Sequence, residues 1–406
     1  MLERKLEEAT VSDRQFGVAQ GAASHGRILE LIRTAGGLSR QQLLSATGMS
    51  RATLYERLDA LGRAGYVYEA EALAATGGRR SRNIRFDDRG RVILALALGQ
   101  TRATASVADT DGSVLRSVTL DHDIADPAED VLAPLVEAGQ SLLASREASE
   151  SLIGVGVGFP APIEAGTGRL VHATTVPTWR ADAAVTLLGG TWDVPLVVEN
   201  DAMAAALGER SGDDETLVYV KVGTGIGCGI VIDGSILRGA RGAAGSIGHI
   251  RMAREGPICR CGRHGCLAAF SSGLAISHNF SSNRHLGLDE IRVAAEQGDE
   301  EVNQILRSAA DILGSALSAT ITTINPHRLV LGGRIGSLPV FIDGVRERVL
   351  TDVVERISDG LAVDAGAPDD RSAVRGLATL VMRKVFAPQT VDDSISNSLQ
   401  ATGQTA

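Results

Sequence analysis

No hydrophobic run in this 406-residue chain approaches the roughly 20 residues that a bilayer-crossing helix needs. The longest, Val92–Leu98, is only a strand's length. The opening stretch Met1–Thr10 is charged, with no apolar signal-like block, so the expected location is the cytoplasm, with no membrane partner. Cysteine is scarce as well. There are four, and three of them, Cys259, Cys261 and Cys266, fall within eight positions. Neighbours so close are poorly placed to bridge one another, which argues against a disulfide framework and for a metal. What is present, 44% hydrophobic residues and an ordinary charge content, suffices to bury a core in two or three domains.

The net charge of -9 speaks against nucleic acid only if the chain is read as one object. Residues 1–91 hold 15 Lys and Arg against 11 Asp and Glu, about +4, which leaves about -13 for the remainder. A basic head on an acidic body is the distribution expected of a DNA-binding module attached to a ligand-binding domain.

Residues 1–23 read as a flexible arm. From His25, the residues Ile28, Leu31, Ile32 and Ala35 recur at helical spacing and stop at Gly36-Gly37. Ser39-Arg40-Gln41-Gln42 is a capping-box pattern that opens a second, short helix, ended by Gly48. Ser50 caps a third helix with Leu54, Leu58 and Leu61 on one stripe, which leaves Arg51, Thr53, Tyr55, Glu56 and Arg57 on other faces. Two short helices around a glycine turn predict a helix-turn-helix whose second helix enters the major groove. Tyr66–Glu69 and Asn83–Phe86 read as paired strands, and the loop between them carries Arg79, Arg80 and Arg82. That is a wing, with guanidinium groups suited to phosphate or to the minor groove. A three-helix bundle used for protein contacts is the competing reading of the helices alone. Of the named residues, Arg51, Thr53, Tyr55 and Glu56 are candidates to read bases; Arg57, Arg79, Arg80 and Arg82 are candidates to hold the backbone.

From Arg91 the pattern changes to strands alternating with helices, an α/β architecture. Val92–Leu98, Ala103–Ala108, Ile153–Gly158, Leu196–Val198, Leu217–Val222, Gly229–Ile232 and Leu329–Leu331 read as strands; Val131–Ser145, Ala202–Arg210 and Glu301–Ile324 read as helices. Glycine turns follow several strands, among them Gly99-Gln100-Thr101 and Gly223-Thr224-Gly225-Ile226-Gly227; backbone amides in such turns can cradle phosphate. His249 with Cys259, Cys261 and Cys266 makes a closed Cys₃His shell for a structural Zn²⁺. His264 competes for the fourth place, and Cys228 reads as a small core filler. Residues 388–406, polar and without a motif, are expected to form a disordered tail.

Taken together, these pieces resemble the regulator branch of the ROK family of repressors, open reading frames and sugar kinases. The resemblance rests on Cys259-x-Cys261-Gly262-x-x-Gly265-Cys266 after Gly248-His249, on Val198-Glu199-Asn200-Asp201-Ala202, on Gly223–Gly227 and on Thr76–Arg80. It implies a winged helix-turn-helix over residues 24–90 and an actin-like (ribonuclease H-like), two-lobed sugar-kinase-type domain over 91–387, with a helix near Arg371–Phe386 returning to the first lobe. In kinase members the aspartate at the position of Asp201 is the general base that deprotonates the sugar hydroxyl.

Departures from the kinase pattern decide the functional expectation. An aspartate precedes the first phosphate turn by two residues in the kinases; here the segment is Ala97-Leu98-Gly99-Gln100-Thr101. Two sugar-binding glutamates correspond to Ser246 and Ala268, and an asparagine to Thr175. Gly99, Thr101, Gly223, Thr224, Gly225 and Gly227 are then vestigial phosphate turns, and Asp201 is a vestigial base. Thr175, Asn200, Asp201, Ser246 and His249 are the candidate effector contacts. The resemblance thus implies a homodimeric or homotetrameric repressor of carbohydrate-related genes without kinase activity. It would bind an inverted-repeat double-stranded DNA operator and respond to a sugar or sugar derivative. An ATP-dependent sugar kinase is the alternative, and a regulator answering to a partner protein also stays open.

Overall fold

The computed structural model describes residues 24–71, 82–145, 147, 150–171, 176, 178–212, 214–280, 284, 286–367 and 369–403. The arm 1–23, the wing residues Arg79 and Arg80, and Thr175 lie outside the described residues. The chain forms two compact units: the residues up to Arg91 together with those from Met382 onward, and Val92–Val381.

In the first unit, helices α1 (His25–Ala35), α2 (Arg40–Thr47) and α3 (Arg51–Arg63) stand where the spacing predicts them. Their ends follow from capping. The hydroxyls of Ser24, Ser39 and Ser50 accept the amides of Arg27, Gln42 and Thr53, and Gly36 and Gly48 close α1 and α2 in the left-handed region. Gln42 completes the capping box by accepting the Ser39 amide at 2.9 Å. Strands β1 (Leu38–Ser39), β2 (Val67–Glu71) and β3 (Arg82–Phe86) form a sheet in the order β1-β3-β2. Two-residue β1 has no periodicity of its own to betray it. Ile28, Ile32, Leu43, Leu54, Leu61 and Ile84 fill the core beneath.

The second unit contains two five-stranded sheets. One holds β4 (Arg91–Leu98), β5 (Arg102–Ala108), β6 (Val114–Asp121), β7 (Ser151–Phe159) and β8 (Leu196–Asn200) in the order β6-β5-β4-β7-β8. The other holds β9 (Leu217–Val222), β10 (Ile226–Ile232), β11 (Ser235–Ile236), β12 (Arg328–Gly332) and β13 (Ala362–Ala365) in the order β11-β10-β9-β12-β13. The two orders are the same permutation. In each, the first three strands form an antiparallel meander. The fourth and fifth pair in parallel. This is the duplicated ribonuclease H-like plan of an actin-type fold.

Helices α4 (Ala128–Ala144) and α5 (Ala183–Leu188) accompany the first sheet, with Leu132, Leu135 and Ala184 buried among Leu94, Leu96 and Val157. After α6 (Asp201–Gly208), the second sheet is covered by α7 (Ala268–Ser271), α8 (Gly273–Ser277), α9 (Leu288–Glu296), α10 (Glu300–Ile324), α11 (Gly333–Gly336), α12 (Pro339–Asp352) and α13 (Glu355–Ser358). The apolar faces of α10 and α12 meet through Leu313, Leu317, Phe341 and Val345.

The chain then enters α14 (Arg371–Val385), inside which the division between the two units falls. The last helix, α15 (Pro388–Gly403), corrects the expected disordered tail. Val391 and Ile395 are buried. The Asp392 carboxylate accepts the Gly26 amide at 3.0 Å, and Tyr66 donates to Ser394 at 3.1 Å. A side chain at Gly26 would lie 2.1 Å from the Pro388 carbonyl oxygen, so α1 and α15 approach as only glycine allows. Composition misled here because one apolar stripe on a polar helix is enough when a partner waits far away in sequence. Residues 382–387, read from the sequence as part of the second domain, fall in the first compact unit.

Candidate functional site

A cleft of about 1170 Å³ in the second unit gathers the turns singled out from sequence: Gly99, Thr101, Gly223, Thr224, Gly225 and Gly227 all line it, together with Gln100, Asn200, Asp201, Ser246 and His249. Asp201 opens α6, which lies close to β10: a side chain on Gly229 would meet the Ala202 carbonyl at 2.4 Å. Alanine on the helix and glycine on the strand therefore place the carboxylate at the cleft wall.

The surroundings of Asp201 are not those of a free base. Its Oδ1 accepts the Ala202 amide at 2.8 Å, and Lys221 Nζ lies 3.0 Å from Oδ2. Lys221 also pairs with Asp370 at 3.7 Å. Asp370 in turn accepts the Thr104 hydroxyl at 2.7 Å. Burial disfavours the Lys221 charge, but Asp201 and Asp370 outweigh it, and the ammonium titrates above its ordinary range. Sequence reasoning missed Lys221 and Asp370. The signal was there: a single lysine inside the apolar strand Leu217-Val-Tyr-Val-Lys-Val222 needs buried carboxylates nearby.

Asn200, expected to contact the effector, spends its side chain on the backbone. It donates to the carbonyls of Phe159 and Ala161 at 3.3 and 3.1 Å, and its Oδ1 caps α6 by accepting the Met203 amide at 3.0 Å. Its neighbour Glu199, buried, is held by Arg238 at 2.6 Å. The Ser246 hydroxyl donates to the Ala243 carbonyl at 2.7 Å. Ala97 is buried in β4, and Ala268 begins α7. Arg334, after the Gly332-Gly333 turn, donates to Thr101 at 3.1 Å, and the Thr101 and Thr224 hydroxyls are 3.4 Å apart.

His249, Cys259, Cys261 and Cys266 come together with their ligand atoms within 4.8 Å of one another. Cys261 Sγ to Cys266 Sγ and Cys259 Sγ to His249 Nδ1 are each 3.7 Å. A tetrahedron with metal–sulfur bonds of about 2.3 Å has sulfur–sulfur edges of about 3.8 Å, so the group could hold a metal ion. The loop is built for this: Cys259 N donates to Arg263 O and Gly262 N to Cys259 O, both at 2.8 Å. Gly265, at φ 71°, tucks so tightly that a side chain would meet the Ala253 carbonyl oxygen at 2.1 Å. His264 is turned elsewhere, its Nδ1 3.0 Å from the Gly256 carbonyl. Cys228 is buried and its thiol pushed up to about 12 by that burial.

In the first unit, Arg51, Tyr55 and Glu56 project from α3 into solvent, with Tyr55 50% exposed. Arg57 is half-buried, and the Thr53 hydroxyl sits 2.9 Å from the capping hydroxyl of Ser50. Arg40, which the helix pattern did not single out, lies 5.1 Å from the centre of the Tyr55 ring and pairs with Glu69. Glu69 also reaches Arg82 at 3.4 Å.

Residues 93–384 match the profile of the ROK family, and residues 23–68 match that of the winged helix-turn-helix DNA-binding domain. The xylose repressor of Caldicellulosiruptor bescii is 25% identical over 371 residues, covering 86% of this chain and 93% of that protein. The glucokinase of Thermotoga maritima is 27% identical over 315 residues, covering 72% of this chain and 98% of that one. Among solved structures, a ROK family transcriptional regulator described as a homologue of the E. coli MLC protein superposes with a TM-score of 0.76 at 22% identity, covering 92% of this chain and 98% of its own.

Proposed function

The chain belongs to the ROK family, and from its winged helix-turn-helix head we propose that it works as a sugar-responsive, DNA-binding repressor rather than as a kinase. One observation carries the second half of that reading: the carboxylate at the kinase base position, Asp201, is neutralised by Lys221 at 3.0 Å. A general base must be free to take a proton. Both Asp201 oxygens already have partners, Lys221 and the Ala202 amide, and Ala97 supplies no acid on the phosphate side.

The cluster of His249, Cys259, Cys261 and Cys266 suits Zn²⁺ in a structural role, since four protein ligands leave no open position for a reactive water. Bound there, the metal would fix the loop that carries His249 at the cleft wall. Asp201, Ser246 and His249 are the residues we assign to effector contact; Asn200 serves them by capping α6. The substrate class follows the family, a sugar or sugar derivative in the cleft.

In the head, Arg51, Tyr55 and Glu56 would read base edges in the major groove, and Arg57, Arg79, Arg80 and Arg82 would hold phosphates or the minor groove. A homodimer or homotetramer would present two such helices to an inverted repeat. No helix among the described residues is long and apolar enough to cross a membrane, which fits a DNA-bound protein of the cytoplasm.

Selection of duplexes from a random pool, followed by release assays with D-xylose, D-glucose and N-acetylglucosamine, tests the reading. Enrichment of one inverted repeat, with one sugar weakening binding and no ADP formed from ATP with any of them, is the expected result. ADP formation that Asp201→Ala abolishes would establish the kinase instead.

A further inference from the structure

Tyr55, on the exposed face of α3, has a cation against its ring. The Ser39–Gln42 capping box makes Arg40 the first residue of α2, and the Arg40 guanidinium lies 5.1 Å from the Tyr55 ring centre. We propose that Arg40 is a positioning residue: it holds the Tyr55 ring ready for the duplex and so contributes to the choice of sequence without touching DNA. The proposal rests on the base-reading assignment of Tyr55 above.

Arg40 stands where a helix does not favour it. A cation in the first turn opposes the helix dipole, and α2 has no acidic residue there to offset it. The offset comes from β2. One Glu69 oxygen accepts Arg40 Nη2, and the other accepts Arg82 Nη1 at 3.4 Å. The Arg40 charge is therefore already paired within the head. Its Nε is buried and has no hydrogen-bond partner among the described residues. Leaving such a donor unmet is normally unfavourable, and the attraction of a guanidinium to an aromatic face is what the site offers against it.

A tyrosine on a solvent-facing helix surface samples several rotamers, and a duplex that needs one of them must bear the loss of the others. Stacking on Arg40, itself held by Glu69, removes that loss beforehand. Leu54 and Leu58 are buried beneath α3, so the helix is already fixed and the freedom removed is that of the side chain. Tyr55 remains 50% exposed. The ring is thus held on one side and offered on the other. The benefit belongs to the selected duplex, where the ring meets a base edge; random duplex is gripped through its backbone and has no need of it.

A double-mutant cycle tests this. The probes are the duplex that the wild-type chain selects from a random pool and a random duplex of equal length, titrated by fluorescence anisotropy at several salt concentrations. Tyr55→Ala should lower the preference for the selected duplex about tenfold. Arg40→Ala should lower it about fivefold, with affinity for random duplex and the salt slope unchanged. In the Tyr55→Ala background, Arg40→Ala should lower it no further. A merely structural role cannot give this pattern, because partial unfolding weakens both duplexes by one factor and leaves their ratio intact.

Equal weakening of both duplexes, with a salt slope lower by about one, would make Arg40 a phosphate contact and overturn the proposal. So would a loss of preference that persists undiminished in the Tyr55→Ala background, or no loss in Arg40→Ala when Tyr55→Ala shows one; the assignment of Tyr55 survives both. No loss in Tyr55→Ala would overturn proposal and assignment together. Should Arg40→Ala unfold the head, Arg40→Lys takes its place with the same expectations, since lysine keeps the charge beside Glu69 and lacks the plane that lies on the ring.

Discussion

Arg260, inside the cysteine loop, donates to Gln100 Oε1 at 2.7 Å, so the turn that departs most from the kinase pattern is held by the candidate metal loop. Gln100 also presses on the second phosphate turn: a side chain on Gly225 would lie 2.6 Å from its Nε2. Removing the metal should therefore be felt at the cleft. Chelation, or Cys261→Ser, is expected to lower metal content below one zinc per chain, lower the melting temperature of the second unit and abolish the response to sugar. Full metal content and response in Cys261→Ser, measured by elemental analysis and release assay, would refute the ligand assignment.

Lys221→Met leaves two carboxylates, Asp201 and Asp370, without their shared cation. Stranding a buried charge costs about 3–5 kcal/mol, and the partial exposure of Asp370 should bring the value toward the lower end. Urea unfolding of the second unit checks it. No phosphoryl transfer should appear in this variant, because freeing Asp201 does not restore an acid at Ala97.

The two faces of the head should fail differently. Arg51→Ala or Tyr55→Ala is expected to relax sequence preference, with about 1–3 kcal/mol lost on the selected duplex relative to random duplex. Arg82→Ala should weaken all duplexes alike and lower the slope of log affinity against log salt by about one. Salt titrations on both duplexes separate these outcomes.

Acid should loosen the head through Glu69. The hydrogen bond from Arg40, aided by Arg82, holds this carboxyl below its ordinary value of 4.5. A carboxylate depressed in the folded state contributes stability above its unfolded value and loses it as pH falls through the folded one. Melting of the first unit should thus decline below pH 4.5 less steeply in Glu69→Gln than in the wild type. Identical profiles would show that this exposed pair contributes nothing.

Phe386→Ala should cost the first unit about 3–5 kcal/mol, the range for emptying a buried aromatic site. Removal of everything after Val385 should do at least as much. Calorimetry should show the loss in the transition of the first unit while the cleft-bearing unit melts as before.

Much of the head was legible beforehand because its signals are short-range. Ser39 and Gln42 lie three residues apart, Gly48 stops a helix one residue past its end, and the leucines of α3 repeat at helical spacing. The candidate metal cluster was legible for the same reason: Cys259, Cys261 and Cys266 are near neighbours, and the structure brings His249 rather than His264 to them. Two-residue β1 and the buried side of α15 were not legible, since neither has a local pattern strong enough to stand without its partner.

The order of residues along the chain was enough to mark out a basic helix-turn-helix, an alternating α/β body and a group of residues that could hold a metal, because capping, periodicity and close spacing act within one or two turns of chain. Folding alone decided that Lys221 would reach both Asp201 and Asp370, and that Asp392 would bond to Gly26 across 366 positions. Those pairings depend on which surfaces close against one another. No stretch of sequence carries that information until the sheets have brought distant segments within a few ångströms.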